Sequence, residues 1–294
     1  HYRVFAGGSE ELKRAIDANE VDFTTALGRD DLDELKGVRK VFAPGNATTI
    51  FSFNVEHPAL AQIEVRRALC EAIDRHAVTA VTYENPHAFV GRNLLPPALS
   101  RRNDGVRFDP QSAKARLAKA GVQFDRPLRL LMMWGPRPYL PRPLETAELI
   151  CEQLAAVGVP VELLHTRDSI HYREETRAGN YDLALAGWMA DSADPFDFLG
   201  ANLHSDSIPV EGKPHAYASN VSRYVSGEMD AALEAYRVDG SEEKLQAVLD
   251  LISDEAPLFP LFYGAMIVVH AWNLRNVELS ANGMPKLEGV ELEV

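Results

Sequence analysis

The sequence predicts an α/β fold in which helices cover a sheet. Short runs rich in β-branched, aliphatic and aromatic residues alternate with segments whose apolar residues recur at helical spacing. Asp-Pro pairs stand where helices should open, and glycines stand where they should close. Strands joined by helices bury their apolar faces by stacking helices on a sheet. The 294 residues are 46% hydrophobic, which excludes a disordered chain and allows one large domain or two ordinary ones.

The elements follow in order. Tyr2 to Ala6 reads as a short strand, and Ser9 is placed to cap a helix over Glu10–Asn19 with Leu12, Ala15 and Ile16 on one face. Val21–Phe23 is a second strand. Asp30 is placed to cap a helix through Leu35 that Gly37 ends. Val38–Phe42 and Thr48–Asn54 read as strands around a turn at Pro44-Gly45-Asn46. An amphipathic helix covers Ala61 to about Arg75, and another covers Ala77–Tyr83. Asn85 to Gly105 is loop-rich. Asp109-Pro110 opens a helix with Asp as N-cap and Pro at the first helical position, and Gly121 ends it.

Strand–helix alternation then dominates. Leu128–Trp134 is an apolar strand, Gly135 to Pro143 a Pro-rich loop, Leu144–Val157 a helix closed by Gly158, and Val159–Leu164 a strand. A helix over Ile170–Ala178 ends at Gly179, and Tyr181–Trp188 is a strong apolar strand. Asp194-Pro195 repeats the helix-opening device. Helices over Glu228–Tyr236 and Ser241–Asp254 precede a strand pair or one long strand over Phe259–Val269 and an irregular tail, Val277 to Val294. No internal repeat or low-complexity segment stands out.

Charge and motifs exclude several function classes. Lys plus Arg total 30 against 43 Asp plus Glu, a net charge of −13, whereas a phosphate-backbone binder normally carries a basic excess. The longest apolar stretch, Pro257 to Trp272, is broken by Pro257, Pro260 and Gly264, so no membrane span is expected. The opening His1–Phe5 lacks the charged head and apolar run of a signal peptide and reads as the middle of something. Cys70 and Cys151 are the only cysteines; Cys151 shares a helical apolar stripe with Leu144, Ala147 and Leu154 and reads as a small buried hydrophobe, while a Cys70–Cys151 disulfide stays open, since sequence does not place the two within bonding distance. There is no GxxxxGK[ST], no GxGxxG after a strand, no GxSxG and no HExxH, and the nine histidines are scattered. No cofactor or metal site is expected. Asp191, Asp194 and Asp197 form a carboxylate cluster without the glycine and distal Glu of a calcium loop, and helix capping by Asp194 explains it more simply.

The order of local patterns carries a resemblance. Leu12 to Phe23 ends in Asn19-Glu20-Val21-Asp22-Phe23. Val65-Arg66-Arg67-Ala68-Leu69 runs into Ala72-Ile73-Asp74-Arg75. Phe108-Asp109-Pro110 precedes Ala113-Lys114 and Leu117-Ala118-Lys119-Ala120-Gly121. Tyr181-Asp182-Leu183 precedes Gly187-Trp188-Met189-Ala190-Asp191 and Asp194-Pro195. Glu255-Ala256-Pro257 precedes Pro260-Leu261-Phe262. In this order and spacing they resemble the C-terminal half of the peptide-binding proteins of ABC importers, the extracellular solute-binding proteins of family 5. The resemblance implies a periplasmic-binding-protein-like lobe of the peptide-binding class (type II), a mixed sheet flanked by helices. Residues 1–48 and 265–294 would be segments of the first lobe or hinge region, and residues 49–264 the second ligand-binding lobe. Family members carry roughly as many residues again before this point, so the chain is expected to be a piece of a longer receptor rather than a natural half-protein.

The resemblance also nominates the site. The aspartate of the Gly187-Trp188-Met189-Ala190-Asp191 stretch is the family's partner for the free α-amino group of a bound peptide, and a carboxylate in a closed cleft pairs well with an ammonium. Gly187, Trp188 and Met189 would line the pocket, with Trp rigid and Met adaptable. Arg137 and Arg142, in the loop after the strand Leu128–Trp134, lie where ligands meet α/β sheets and would face a ligand carboxylate. Phe51 and Asn54 end a strand near the expected crossing between lobes, and Tyr263 lies in the returning strand. The function implied is a substrate-binding component at the periplasmic or extracellular face. Its partners would be a peptide or another small solute and the permease subunits, with no nucleic acid and no enzymatic activity. The alternatives are a solute-sensing domain of a cytosolic transcriptional regulator and, with less support, a hydrolase using Asp191, Asp194 and Asp197. The residues do not choose among peptides, nickel chelates, sugars, opines or haem.

Overall fold

The computed structural model describes residues 3–27, 31–83, 89–97, 99, 105–133, 135–137, 139–189, 192–212, 219–279 and 285–293. Tyr2, Asp30, Trp134 and Asp191 lie outside these residues. The chain divides into two compact units, residues 1–45 with 265–294 and residues 46–264.

The smaller unit holds α1 (Gly8–Asp17) and β1 (Phe23–Thr24), with the first part of β2 (Val38–Phe53) and the last part of β7 (Leu258–Ala271). Leu12 and Ile16 of α1 pack with Leu27, Leu32, Leu35 and Val269 in a core of their own. Helix α1 begins before Ser9: Gly7 is its N-cap, and its N–H donates to Glu11 Oε2 at 2.7 Å. Ser9 therefore lies inside the helix, whose start carries no side-chain cap, and the Glu11 carboxylate reaches back only to the N-cap amide. Residues 3–5 form no strand, and residues 31–34 form a turn rather than a helix. A segment of this length before Gly37 cannot repay helix nucleation. β1 pairs antiparallel with β7, Phe23 opposite His270. The tail is more regular than its sequence suggests: β8 (Leu274–Arg275) pairs with β11 (Glu291–Leu292), and β9 (Glu278–Leu279) with β10 (Pro285–Lys286).

In the larger unit the sheet runs in the order β7-β2-β6-β4-β5, with β3 (Phe89–Val90) also on β7. β4 (Leu128–Met132) is parallel to both β5 (Val161–His165) and β6 (Leu183–Met189), while β2 is antiparallel to β6. The sheet is therefore mixed. β2 is one strand, not the two expected around Pro44-Gly45-Asn46. Its register with β6 starts at Ala47, after Pro44.

Side-chain alternation gives the sheet two apolar faces. Phe51, Phe53, Leu183 and Leu185 pack against α2 (Ile63–Ala72), α3 (Arg75–Tyr83), α4 (Pro110–Ala120) and α5 (Pro143–Ala156). On the other face Ile50 meets Phe198, Met229, Leu233 and Leu249 from α7 (Pro195–Leu203), α8 (Gly227–Asp239) and α9 (Glu242–Glu255). Leu131 and Ala184 meet Tyr172 of α6 (Ser169–Ala178).

The punctuation acts as read. Asp109 accepts from the N–H groups of Gln111 and Ser112, Asp194 from Phe196, and Ser241 from Lys244. Gly121 and Gly179 close α4 and α6 at φ of 65° and 69°, a left-handed conformation that glycine takes without a Cβ clash. The helix expected over Ala61–Arg75 stops at Ala72, because Ile73 is extended and Asp74 caps α3 through the amides of His76 and Ala77.

Buried charges lock the frame. Arg66 donates to the carbonyls of Leu60 (2.8 Å), Ala61 (3.0 Å) and Ala256 (3.0 Å), tying α2 to the end of α9. Asp182 is gripped by both Arg126 nitrogens, at 2.6 and 2.9 Å, and by the amide of Arg129 at 2.7 Å. This fixes the start of β6, and with it the place where β6 ends.

Candidate functional site

The carboxyl ends of the parallel strands β4 and β6 open onto a cavity of about 160 Å3. Ala186, Gly187 and Trp188 of β6 form one wall, and Met133 follows β4 into another. Helix α6 presents Ser169, Tyr172, Arg173 and Thr176, the spacing of one helical face. Crevices beyond strand carboxyl ends are where α/β sheets hold ligands.

Tyr139 completes the cavity and explains Gly187. A Cβ on Gly187 would stand 2.3 Å from the Tyr139 ring, so only glycine admits the ring there. The Tyr139 carbonyl accepts from Thr49 Oγ1 and, at 3.4 Å, from Tyr83 Oη. Reciprocal backbone hydrogen bonds between Arg137 and Leu140, both 2.9 Å, close the turn that carries it. Burial pushes the Tyr139 and Tyr172 phenols up, so both are neutral donors near neutral pH. Tyr172 Oη donates to the carbonyl of Leu185 at 3.2 Å.

Trp188 packs beside the core of α7 to α9, yet among the described residues its buried indole N–H has no hydrogen-bond partner. Thr48 faces it across the β2–β6 ladder, and its buried Oγ1 is likewise without a partner among the described residues. An unsatisfied buried donor or acceptor costs about 1–3 kcal/mol, so two at facing positions mark the strand end as unusual.

The nominated residues separate. Gly187 and Trp188 line the cavity; Met189 follows at the end of β6 and is 47% exposed. Arg137 is half-buried, and its Nε donates to Sδ of Met133, itself a lining residue, at 2.8 Å. Asp191 lies outside the described residues. Phe51, Asn54 and Tyr263 are committed to the frame. Phe51 is fully buried, edge-on to Phe53 at 5.3 Å. Asn54 donates to the Tyr181 carbonyl at 2.8 Å and accepts from the Glu56 amide at 3.1 Å. The Tyr263 hydroxyl accepts from the amides of Arg92 (3.0 Å) and Asn93 (3.1 Å) and donates to the Asn93 carbonyl (3.0 Å). All three side chains are buried in the frame. Tyr139, Tyr172 and Arg173 were missed from sequence; the α6 stripe was the available signal.

Asp194 caps α7 by accepting from the Phe196 amide at 2.9 Å. Among the described residues no three His, Cys, Asp or Glu side chains could hold one metal ion, and no helix is long and apolar enough to cross a membrane. Cys70 and Cys151 are free thiols, pushed by burial up to about 12 and about 11.

Residues 1–209 match the family described as bacterial extracellular solute-binding proteins, family 5, middle. The chain belongs to this family. The dipeptide-binding protein of Escherichia coli (strain K12) is 27% identical over 255 residues, 84% of this chain and 45% of that protein. Heme-binding protein A of Haemophilus influenzae is 26% identical over 249 residues, 82% of this chain and 44% of its own. This family 5 chain thus spans less than half the length of these relatives. Among solved structures, HbpA2 from Haemophilus parasuis superposes with a TM-score of 0.86 at 21% identity, over 99% of this chain and 57% of that one. DppA from Helicobacter pylori, in complex with the peptide STSA, gives 0.73 at 24% identity over 98% and 56%. The fold is the α/β fold of these binding proteins over the part they share.

Proposed function

We propose that this chain is part of the substrate-binding component of an ABC importer that takes short peptides or related small solutes. The observation that carries the reading is the cavity at the end of β6, built from the Gly187-Trp188 pair of a family 5 chain. Relatives named as dipeptide-binding proteins support peptides as the solute. The larger unit is read as the second ligand-binding lobe and the smaller as segments of the first lobe or hinge region. In this reading the complete receptor holds its solute between two lobes, at the periplasmic or extracellular face, and delivers it to permease subunits without turning it over. Asp191 pairs with the peptide's α-ammonium, Arg137 with its terminal carboxylate, and Trp188 and Met189 contact the chain between.

Calorimetric titration of the full-length natural protein with a dipeptide panel, followed by mass analysis of the recovered peptide, tests this. Saturable binding with the peptide returned intact is expected. Hydrolysed peptide, or no binding by any dipeptide, would refute it.

A further inference from the structure

We propose that the cavity at the end of β6 is an anion-reading subsite, in which Arg173 receives a carboxylate on a side chain of the bound solute. This rests on the solute-receptor reading and adds the substrate class. Arg173 lies on the α6 stripe with Ser169, Tyr172 and Thr176, and all of these line the cavity. Tyr172 and Thr176 are buried, so the stripe faces inward and Arg173 is only half-exposed. Its guanidinium has no carboxylate or hydrogen-bond partner among the described residues, whereas the neighbouring Glu175 pairs with His171 at 3.3 Å. No described acidic residue lines the cavity, in a chain with a net charge of −13. Among the described residues the wall thus carries a cation and no acid.

The other lining groups suit the same ligand. Trp188 has a buried N–H without a partner among the described residues, and Tyr139 lines the same cavity. Arginine's planar fork matches a carboxylate bidentately, and such pairs are stronger in a half-buried site than in water. A cavity of about 160 Å3 compares with the ~150 Å3 cavity that holds benzene, and so has room for an aspartate or glutamate side chain.

The test titrates the full-length natural protein and its Arg173→Gln and Arg173→Lys variants with Ala-Glu, Ala-Gln, Ala-Gln amide and free glutarate. Ala-Glu is expected to bind about tenfold or more tighter than its neutral isostere Ala-Gln, as one charge-assisted hydrogen bond provides. Arg173→Gln should abolish that preference, and Arg173→Lys should restore part of it. Equal affinities for Ala-Glu and Ala-Gln in the natural protein, or a preference that survives Arg173→Gln, would overturn the proposal. A preference confined to Ala-Gln over its amide, lost in Arg173→Gln, would overturn it by assigning Arg173 to the terminal carboxylate. Should no dipeptide bind, Arg173-dependent binding of glutarate would uphold the anion subsite while the peptide reading fails. Absence of glutarate binding as well would overturn both.

Discussion

At the residue scale, two positions do opposite kinds of work. Gly187 is defined by what it lacks: the Tyr139 ring occupies the place of a side chain. Gly187→Ala is expected to displace that ring, cost about 1–3 kcal/mol as overpacking does, and deform the cavity. Urea unfolding with a parallel ligand titration checks both effects. Asp182 is defined by what surrounds it. Burial opposes its charge, but the Arg126 fork and the Arg129 amide together hold its carboxyl below the usual range. A depressed carboxylate contributes stability that is complete above the unfolded value, about 3.9, and is lost as pH falls through the lower folded value. Asp182→Asn should therefore cost about 1–3 kcal/mol near neutral pH. The gap to the natural protein should close as pH drops below about 4. Unfolding curves at stepped pH measure it; a gap independent of pH would contradict the assignment.

Elements show what sequence can reveal about this fold and what it cannot. Asp109, Asp194, Ser241, Gly121 and Gly179 sit where read, because capping is chemistry between near neighbours. Asp194→Ala should accordingly lower stability by about 1 kcal/mol and leave ligand affinity unchanged, since its carboxylate serves the Phe196 amide. Thermal unfolding and calorimetry on one preparation separate the two effects. Reading failed where partners distant in sequence decide. β2 runs through Pro44-Gly45 as a single strand because it has sheet neighbours to follow, and the tail pairs because β8 and β9 offer edges. The site divides the same way. Gly187 and Trp188 were legible from a local motif. The ring over Gly187 and the α6 stripe were not, since they exist only once the loop after β4 and helix α6 fold onto β6. Phe51, Asn54 and Tyr263 looked available because strand ends often are, yet packing and backbone hydrogen bonds had already claimed them.

For the whole molecule, burial, charge and family membership converge. Two separate cores give the chain two units, and the larger carries a cavity lined by Tyr139, Tyr172, Trp188 and, among the described residues, one charged side chain, Arg173. A chain spanning 45% of the Escherichia coli dipeptide-binding protein is read here as one part of a receptor, so its affinity is a property of the complete protein. The decisive group is the α-ammonium of the solute, which the reading assigns to Asp191. The measurement to make is the affinity of full-length natural protein and Asp191→Ala for one dipeptide and its N-acetyl form. Tight binding of the free dipeptide only, lost on acetylation and lost equally in Asp191→Ala, is the predicted result. Unchanged affinity after either alteration would contradict it.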